Sequence, residues 1–334
     1  MSGSSPLLLA GVLIASCVIL YYGAHWLVRG AVVIATALGI PKTVVGLTLV
    51  AFGTSAPEMF VNVIAGLKGE TSIALANVSG SNLTNICIGF GVCALAACVV
   101  IDWRSFWADC SMAVLSTVVV LAFLVGGAYF GLAPGLSLWA LLPLGLLSVL
   151  YLISLRRRAV EEVEDEGDDV SGLRLALHCG LFLLGVGALY GGGSLLLESA
   201  IATAEKLNMP SSLIGLTIVA AGTSIPDTIA SLVAARQGEH GIAVGNLIGS
   251  NISNVLIVLS ATLLASRSAL STGGDIYLVQ DYIMVVAVSL LFLVLAARCG
   301  KVSRSWGVLF LLTYFGYMGY RVTMSLEAVT AAAT

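Results

Sequence analysis

Residues 20–86 and 189–255 repeat one another without a gap, at a constant offset of 169, and are identical at 27 of 67 positions. A chain that carries one long unit twice is constrained to two equivalent halves. The likeness is densest in two places. GLTLVAFGTSAPE, Gly46 to Glu58, is matched by GLTIVAAGTSIPD, Gly215 to Asp227. NVSGSNLTN, Asn77 to Asn85, is matched by NLIGSNISN, Asn246 to Asn254. In each copy one acidic residue, Glu58 or Asp227, stands inside an apolar run.

That environment is lipid. Only 10% of the residues are charged and 59% are hydrophobic, whereas soluble domains carry about 25% charged residues. A helix crosses the hydrocarbon with roughly 20 apolar residues. Apolar runs at 7–37, 42–67, 71–99, 106–130, 135–155, 173–206, 211–236, 240–266, 277–298 and 304–326 predict ten crossings. The first is longer than a crossing requires, so it is expected to tilt. RRRAVEEVEDEGDDVSG, residues 156–172, divides the runs five and five. Because five is odd, the second half enters the membrane from the opposite side. The expected fold is an all-α membrane protein, ten transmembrane helices as two inverted five-helix repeats with broken helices 2 and 7. Residues 1–155 form the first repeat (signature 46–86), 156–172 a charged cytoplasmic linker and 173–334 the second repeat (signature 215–255).

Orientation follows from Lys and Arg near the helix ends. With 156–172 in the cytoplasm, the inside holds Lys42, Arg104, Arg156, Arg157, Arg158, Arg174, Arg236, Arg298, Lys301 and Arg304. The outside holds Lys68, Lys206, Arg267 and Arg321. Both termini are therefore expected outside, in a plasma or cell inner membrane. The N-terminal apolar run lacks a basic lead and a small-residue cleavage site, and reads as the first crossing.

A carboxylate in a membrane segment is expensive, and marks function by default. Neither signature contains a Lys or Arg to neutralise Glu58 or Asp227. Pro57 follows Gly53 by four residues, and Pro226 follows Gly222 likewise. Proline removes a helical hydrogen bond and clashes one turn back, so both helices should break at mid-depth. Irregular backbone at that depth is tolerated only where it faces protein or a cavity. Freed carbonyls, the hydroxyls of Thr54, Ser55, Thr223 and Ser224, and a carboxylate are hard oxygen donors suited to sodium and calcium. On the following helix Asn77, Ser81 and Asn85 share one face, as do Asn246, Ser250 and Asn254. Their amide and hydroxyl oxygens are neutral ligands, or hydrogen-bond holders for a carboxylate. Gly80 and Gly249 permit close helix approach.

Two carboxylates match the charge of one Ca²⁺ or two Na⁺. An emptied site keeps its charge and crosses poorly, which favours exchange over leak. Inverted repeats likewise favour alternating access over a channel.

Other polar residues receive plainer readings. Asp102, Asp109, Asp275 and Asp281 lie near predicted helix ends, where capping or solvation is expected. Glu70 and Glu239 are expected to stabilise helix N-termini. Arg29 and its repeat mate Glu198 should snorkel separately to opposite interfaces. Cys17, Cys87, Cys93, Cys98, Cys110, Cys179 and Cys299 read as small buried hydrophobes. His25, His178 and His240 are too scattered in sequence for a metal cluster. Without a basic stripe interleaved with aromatic platforms, nucleic-acid binding finds no support. No HExxH, GxSxG or His-rich cluster points to an enzyme, and no cofactor is expected.

GTSAPE with SGSNLTN, repeated as GTSIPD with GSNISN, resembles the two α-repeats of the sodium/calcium exchanger family, within the cation/calcium antiporter superfamily. The resemblance implies Na⁺ influx driving Ca²⁺ export, with the two long helices sliding against a core of eight. It implies as ion ligands Glu58 and Asp227, the hydroxyls of Thr54, Ser55, Thr223, Ser224, Ser81 and Ser250, the carbonyls of Ala51 and Ala220, and Asn85 and Asn254. Some prokaryotic members carry Glu at both acidic positions, whereas here the second is Asp227. Asn254 stands where some members, the potassium-dependent branch included, carry Asp, which argues against K⁺ co-transport. The acid motif of proton-coupled calcium exchangers is missing at these positions, though H⁺-coupled exchange stays the alternative. Residues 156–172 are too few for the regulatory domains of animal exchangers. Na⁺, Ca²⁺ and the lipid bilayer are the partners implied.

Overall fold

The break expected in the second apolar run falls at Ser55. The computed structural model describes residues 6–129, 135–161, 172–206, 220–272 and 276–333. Helix α1 (Pro6–Leu38) ends at Gly39, whose φ of +59° lies in the left-handed region. The second run comprises α2 (Lys42–Val45), a π-helical turn (Gly46–Val50) and α3 (Ala51–Thr54), then, past a 50° bend, α4 (Ala56–Lys68). The third is α5 (Thr71–Thr84), a second π-helical turn (Asn85–Gly89) and α6 (Phe90–Ala96). Strand β1 (Val99–Val100), α7 (Trp103–Tyr129), β2 (Gly135–Leu136) and α8 (Leu141–Glu161) complete the first half.

The second half follows the same order. It contains α9 (Gly172–Lys206), α10 (Ala220–Gly222), α11 (Ile225–Arg236) and α12 (His240–Ser253). A π-helical turn (Asn254–Val258), α13 (Leu259–Ser266), β3 (Leu270–Ser271), α14 (Ile276–Cys299), β4 (Lys301–Val302) and α15 (Arg304–Ala333) follow. The opening of the second signature (Gly215–Val219), residues 162–171 of the charged segment, and Asp275 lie outside the described residues.

The sequence repeat is also a backbone repeat. Ser55 and Ser224, at the two breaks, have φ, ψ of −87°, 4° and −88°, 6°. Gly69 and Gly238, at φ +77° and +80°, close the turns into α5 and α12, a conformation that costs glycine little. The π-helical turns Asn85–Gly89 and Asn254–Val258 begin at mated asparagines.

Two short antiparallel ribbons, which the sequence reading did not foresee, join the halves: Val99 pairs with Val302, and Gly135 with Ser271. Helix α7, 27 residues long, spans roughly 40 Å at 1.5 Å per residue. It therefore places β1 and β2 at opposite ends of the molecule. Because β3 pairs with β2, the mated strands β1 and β3 also lie at opposite ends. Helices α1 and α9 pack antiparallel through small residues. A Cβ added at Gly23 would lie 2.8 Å from that of Ala188, and one at Gly185 would lie 2.5 Å from the Leu27 nitrogen.

Among the described residues, seven helices are long and apolar enough to cross a membrane, or eight with the bent pair Lys42–Thr54 and Ala56–Lys68. The spans Thr71–Ala96 and His240–Ser266 are 78% and 72% buried, against 22–39% for the other five. The Asn-bearing helices thus form the centre, and the rest face outward.

Five expectations need correction. Asp109 is not solvated or capping: it is fully buried and takes two hydrogen bonds from Arg158, at 2.7 and 2.8 Å. Asp281 is likewise paired, with Arg321 at 2.8 Å and the Tyr317 hydroxyl at 2.6 Å. Sequence position near a helix end could not reveal a basic partner one helix away. Asp102 does cap, accepting from Arg104 N and Ser105 Oγ. The helix before the linker runs on to Glu161, so Arg156–Arg158 are helical, with that turn anchored to α7 through Asp109. Glu70 and Glu239 occupy N-cap positions without capping bonds, and Glu239 pairs with Lys42 at 2.9 Å. Cys87, Cys93 and Cys110 are buried, but Cys17, Cys98 and Cys299 are exposed, because an apolar run does not fix which side of its helix faces the core. Arg29 and Glu198 are both exposed.

Candidate functional site

Both breaks and both Asn-bearing helices converge on one fully buried polar centre. Ser55 precedes α4, whose second and third residues are Pro57 and Glu58; Ser224 precedes α11, which carries Pro226 and Asp227 at the same places. Proline is tolerated there because the first turn's N–H groups have no intrahelical partner. The positive ends of both helices face the acids. Glu58 and Asp227 are each 0% exposed and close enough for their charges to interact. Among the described residues, neither pairs with a Lys or Arg.

The two carboxylates are held differently. Asp227 accepts from Asn85 Nδ2 at 3.0 Å and from Ser250 Oγ at 3.1 Å, and its carbonyl accepts from Asn246 Nδ2 at 3.1 Å. Both Glu58 oxygens are buried without a hydrogen-bond partner. So are Ser55 Oγ, Ser224 Oγ, Asn85 Oδ1 and Asn254 Oδ1. An unpartnered buried polar atom costs about 1–3 kcal/mol, more when charged. Asn251 Oδ1 and Thr228 Oγ1, on the same helices, are unpartnered as well. Buried oxygens left in this state fit a dehydrated hard cation, which accepts lone pairs.

Thr54 is buried and has one proton for two acceptors at 2.9 Å, the Val50 carbonyl and Asn246 Oδ1. Its mate Thr223 is looser, 3.4 Å from Asn77 Oδ1 and 3.5 Å from Ser81 Oγ. The Ala51 carbonyl accepts from the Ser55 N–H at 2.9 Å and lies 3.3 Å from Thr54 Oγ1. Ala220 opens α10, and its side chain lies outside the described residues. The bulk of the candidate set is thus gathered at one centre, with Ser81 reaching it through Thr223.

A supporting layer outside the expected ligand set carries the rest. Asn246 also donates to Ser231 Oγ at 2.9 Å, and its mate Asn77 donates to Asn62 Oδ1 at 2.7 Å. Asn82 and Asn251 donate to each other's backbone carbonyls at 3.2 and 3.3 Å. The even spacing of asparagines was visible in the sequence, but not which of them face the acids. Helix α9 covers both breaks: a Cβ at Gly53 would meet Val186, and one at Gly222 would meet Leu197. Among the described residues no three His, Cys, Asp or Glu form a metal cluster. Two carboxylates among neutral oxygens suit an ion that must also leave.

The sequence model of the family described as sodium/calcium exchanger protein matches residues 8–155 and 177–323. The chain belongs to the sodium/calcium exchanger family. It is 31% identical over 319 residues to the inner membrane protein YrbG of Escherichia coli, covering 91% of this chain and 93% of that one. It is 28% identical over 347 residues to the sodium/calcium exchanger MaX1 of Methanosarcina acetivorans, covering 92% and 96%. Among solved structures, the sodium-calcium exchanger NCX_Mj, soaked with Na⁺ and Sr²⁺, superposes with a TM-score of 0.78 at 26% identity, over 94% of this chain and 99% of that one. As a member of this family the chain is a multi-pass integral membrane transporter and not an enzyme.

Proposed function

We propose that this chain exchanges Na⁺ for Ca²⁺ across a membrane by alternating access, with Glu58 and Asp227 as the charged ligands of one shared pocket. The observation that carries this reading is that both Glu58 oxygens, Ser55 Oγ, Ser224 Oγ, Asn85 Oδ1 and Asn254 Oδ1 are all buried without a hydrogen-bond partner. The hydroxyls, amides and carbonyls of Thr54, Ser55, Ser81, Asn85, Ala51 and their mates complete the coordination. Ten crossings in two inverted repeats are supported by the opposed mated strands, by the antiparallel α1 and α9, and by the match to NCX_Mj. Both termini outside and a cytoplasmic 156–172 segment rest on the Lys and Arg count. Removing the ion-paired Arg158 and Arg321 takes one residue from each side and leaves the bias intact. Asn254 supplies a neutral amide to the pocket, which disfavours a third cation and therefore K⁺ co-transport.

Isotopic Ca²⁺ flux into proteoliposomes tests the proposal under separate Na⁺, K⁺ and H⁺ gradients. An outward Na⁺ gradient should drive Ca²⁺ uptake, with K⁺ without effect, and E58Q or D227N should abolish it. A proton would satisfy a Glu58 oxygen as a cation does, so H⁺-coupled exchange is the second reading. Uptake that follows the pH gradient and ignores Na⁺ selects it.

A further inference from the structure

We propose that Asn82 is a positioning residue for the cation pocket: it fixes which end of the Asn254 amide faces the ions. This rests on the exchanger reading and extends it to a residue outside the expected ligand set. Asn82 is 1% exposed and sits at the centre of the molecule, opposite its own mate Asn251. Its Nδ2 lies 3.2 Å from the Asn251 backbone carbonyl, and its Oδ1 lies 3.0 Å from Asn254 Nδ2.

The sense of this relay has one solution. A backbone carbonyl can only accept, so the Asn82 amide must turn its NH₂ toward it. That leaves Asn82 Oδ1, also an acceptor, facing Asn254. Asn254 must then present its own NH₂ to Asn82, and its Oδ1 points away. That oxygen is buried and unpartnered, one of those left for a cation. Turned the other way, Asn254 would offer donor protons to a positive ion. An asparagine can serve as a cation ligand only while something holds its flip, and here a backbone carbonyl does so at second hand.

The mated position does not share this duty. Asn85 is oriented by Asp227, which accepts from its Nδ2 at 3.0 Å. Asn251 donates to the Asn82 carbonyl at 3.3 Å, and its Oδ1 is unpartnered. Asn251 makes a bond of the same kind to a backbone carbonyl, but among the described residues it bonds to no ligand side chain and so orients none. The pseudo-symmetry supplies its own control.

Ca²⁺ binding to the purified full chain, with thermal unfolding of each variant, tests the proposal. N82L is nearly isosteric but neither donates nor accepts. It should raise the Ca²⁺ half-saturation by about 10–100-fold, the usual effect of removing an outer-shell partner. N82D can only accept, so it keeps the Asn254 orientation while losing the bond to the Asn251 carbonyl; its half-saturation should be no weaker than wild type. In an N254A background N82L should add nothing, since residues acting through one group are not additive. N251L should shift half-saturation less than about threefold, having removed a neutral bond to a backbone carbonyl and not one that orients another amide. The relay is overturned if N82D weakens binding as N82L does, if the N82L and N254A effects multiply, or if N251L matches N82L. A wild type that binds Ca²⁺ beside an N82L that binds equally overturns the relay alone. A wild type that binds none overturns the exchanger reading, and the relay with it.

Discussion

The two halves place their acids on matching backbone, yet treat them differently. Asp227 is tied by Asn85 and Ser250, whereas Glu58 has neither oxygen engaged. The amide that symmetry would send toward Glu58, that of Asn254, goes to Asn82 instead. One methylene separates the side chains, and the neutral donors close around the shorter one. Asp227 is thereby organised by neutral donors alone, whereas on the proposed reading Glu58 would take its partners from the ion. A pocket with one fixed and one open carboxylate can hold a cation firmly enough to select it and loosely enough to release it.

Removing the acids tests this contrast most severely. E58Q and D227N should each abolish exchange, a loss beyond the 10–100-fold typical of outer-shell changes. Their ion-free stabilities should diverge. E58Q removes an unpartnered buried charge and should raise the unfolding temperature, whereas D227N turns an amide against existing donors and should lower it. Equal shifts in ion-free unfolding would erase the distinction between the two sites.

Next in size are the ion pairs that clamp the outer helices. D109N leaves Arg158 without its charged partner and should cost about 3–5 kcal/mol in denaturant unfolding. D281N should cost less, because the Asp281 carboxylate is 14% exposed whereas that of Asp109 is fully buried. A reversed order would mean that the second half, not the first, carries the stiffer frame.

The asparagine mates differ more finely. N85L strips a donor from a carboxylate acceptor and should cost more in the ion-free protein, about 1.5–3 kcal/mol if that carboxylate is charged, against about 1 kcal/mol for N254L, whose amide bond is neutral. Smallest of all, K42A breaks the Lys42–Glu239 pair, whose lysine is 41% exposed. Less than about 1 kcal/mol is expected, diminishing in high salt.

Much of this was legible in the chain. The gap-free repeat, the Gly-x-x-x-Pro breaks and the apolar runs located the helices closely; the run 240–266 coincides with α12 through α13. The acids stood out because charge is rare where lipid surrounds it. The buried pairs Asp109–Arg158 and Asp281–Arg321 did not stand out, since each joins residues 40 or more positions apart on helices whose facing sides no local pattern defines. The two-residue ribbons escaped because pairing between halves leaves no periodicity in so short a strand.

Duplication, hydrophobicity and proline placement are local properties, so the sequence by itself determined that there are two like halves, where their helices break and which acids lie inside. Which acid is held and which is open was decided only by tertiary structure. Asn85 and Asn254 are the same residue at the same place in each repeat, and only the packing of α5 against α12 sends one amide to a carboxylate and the other to Asn82. Hydrogen bonds form between neighbours in space, and a pseudo-symmetric sequence does not oblige those neighbours to pair alike.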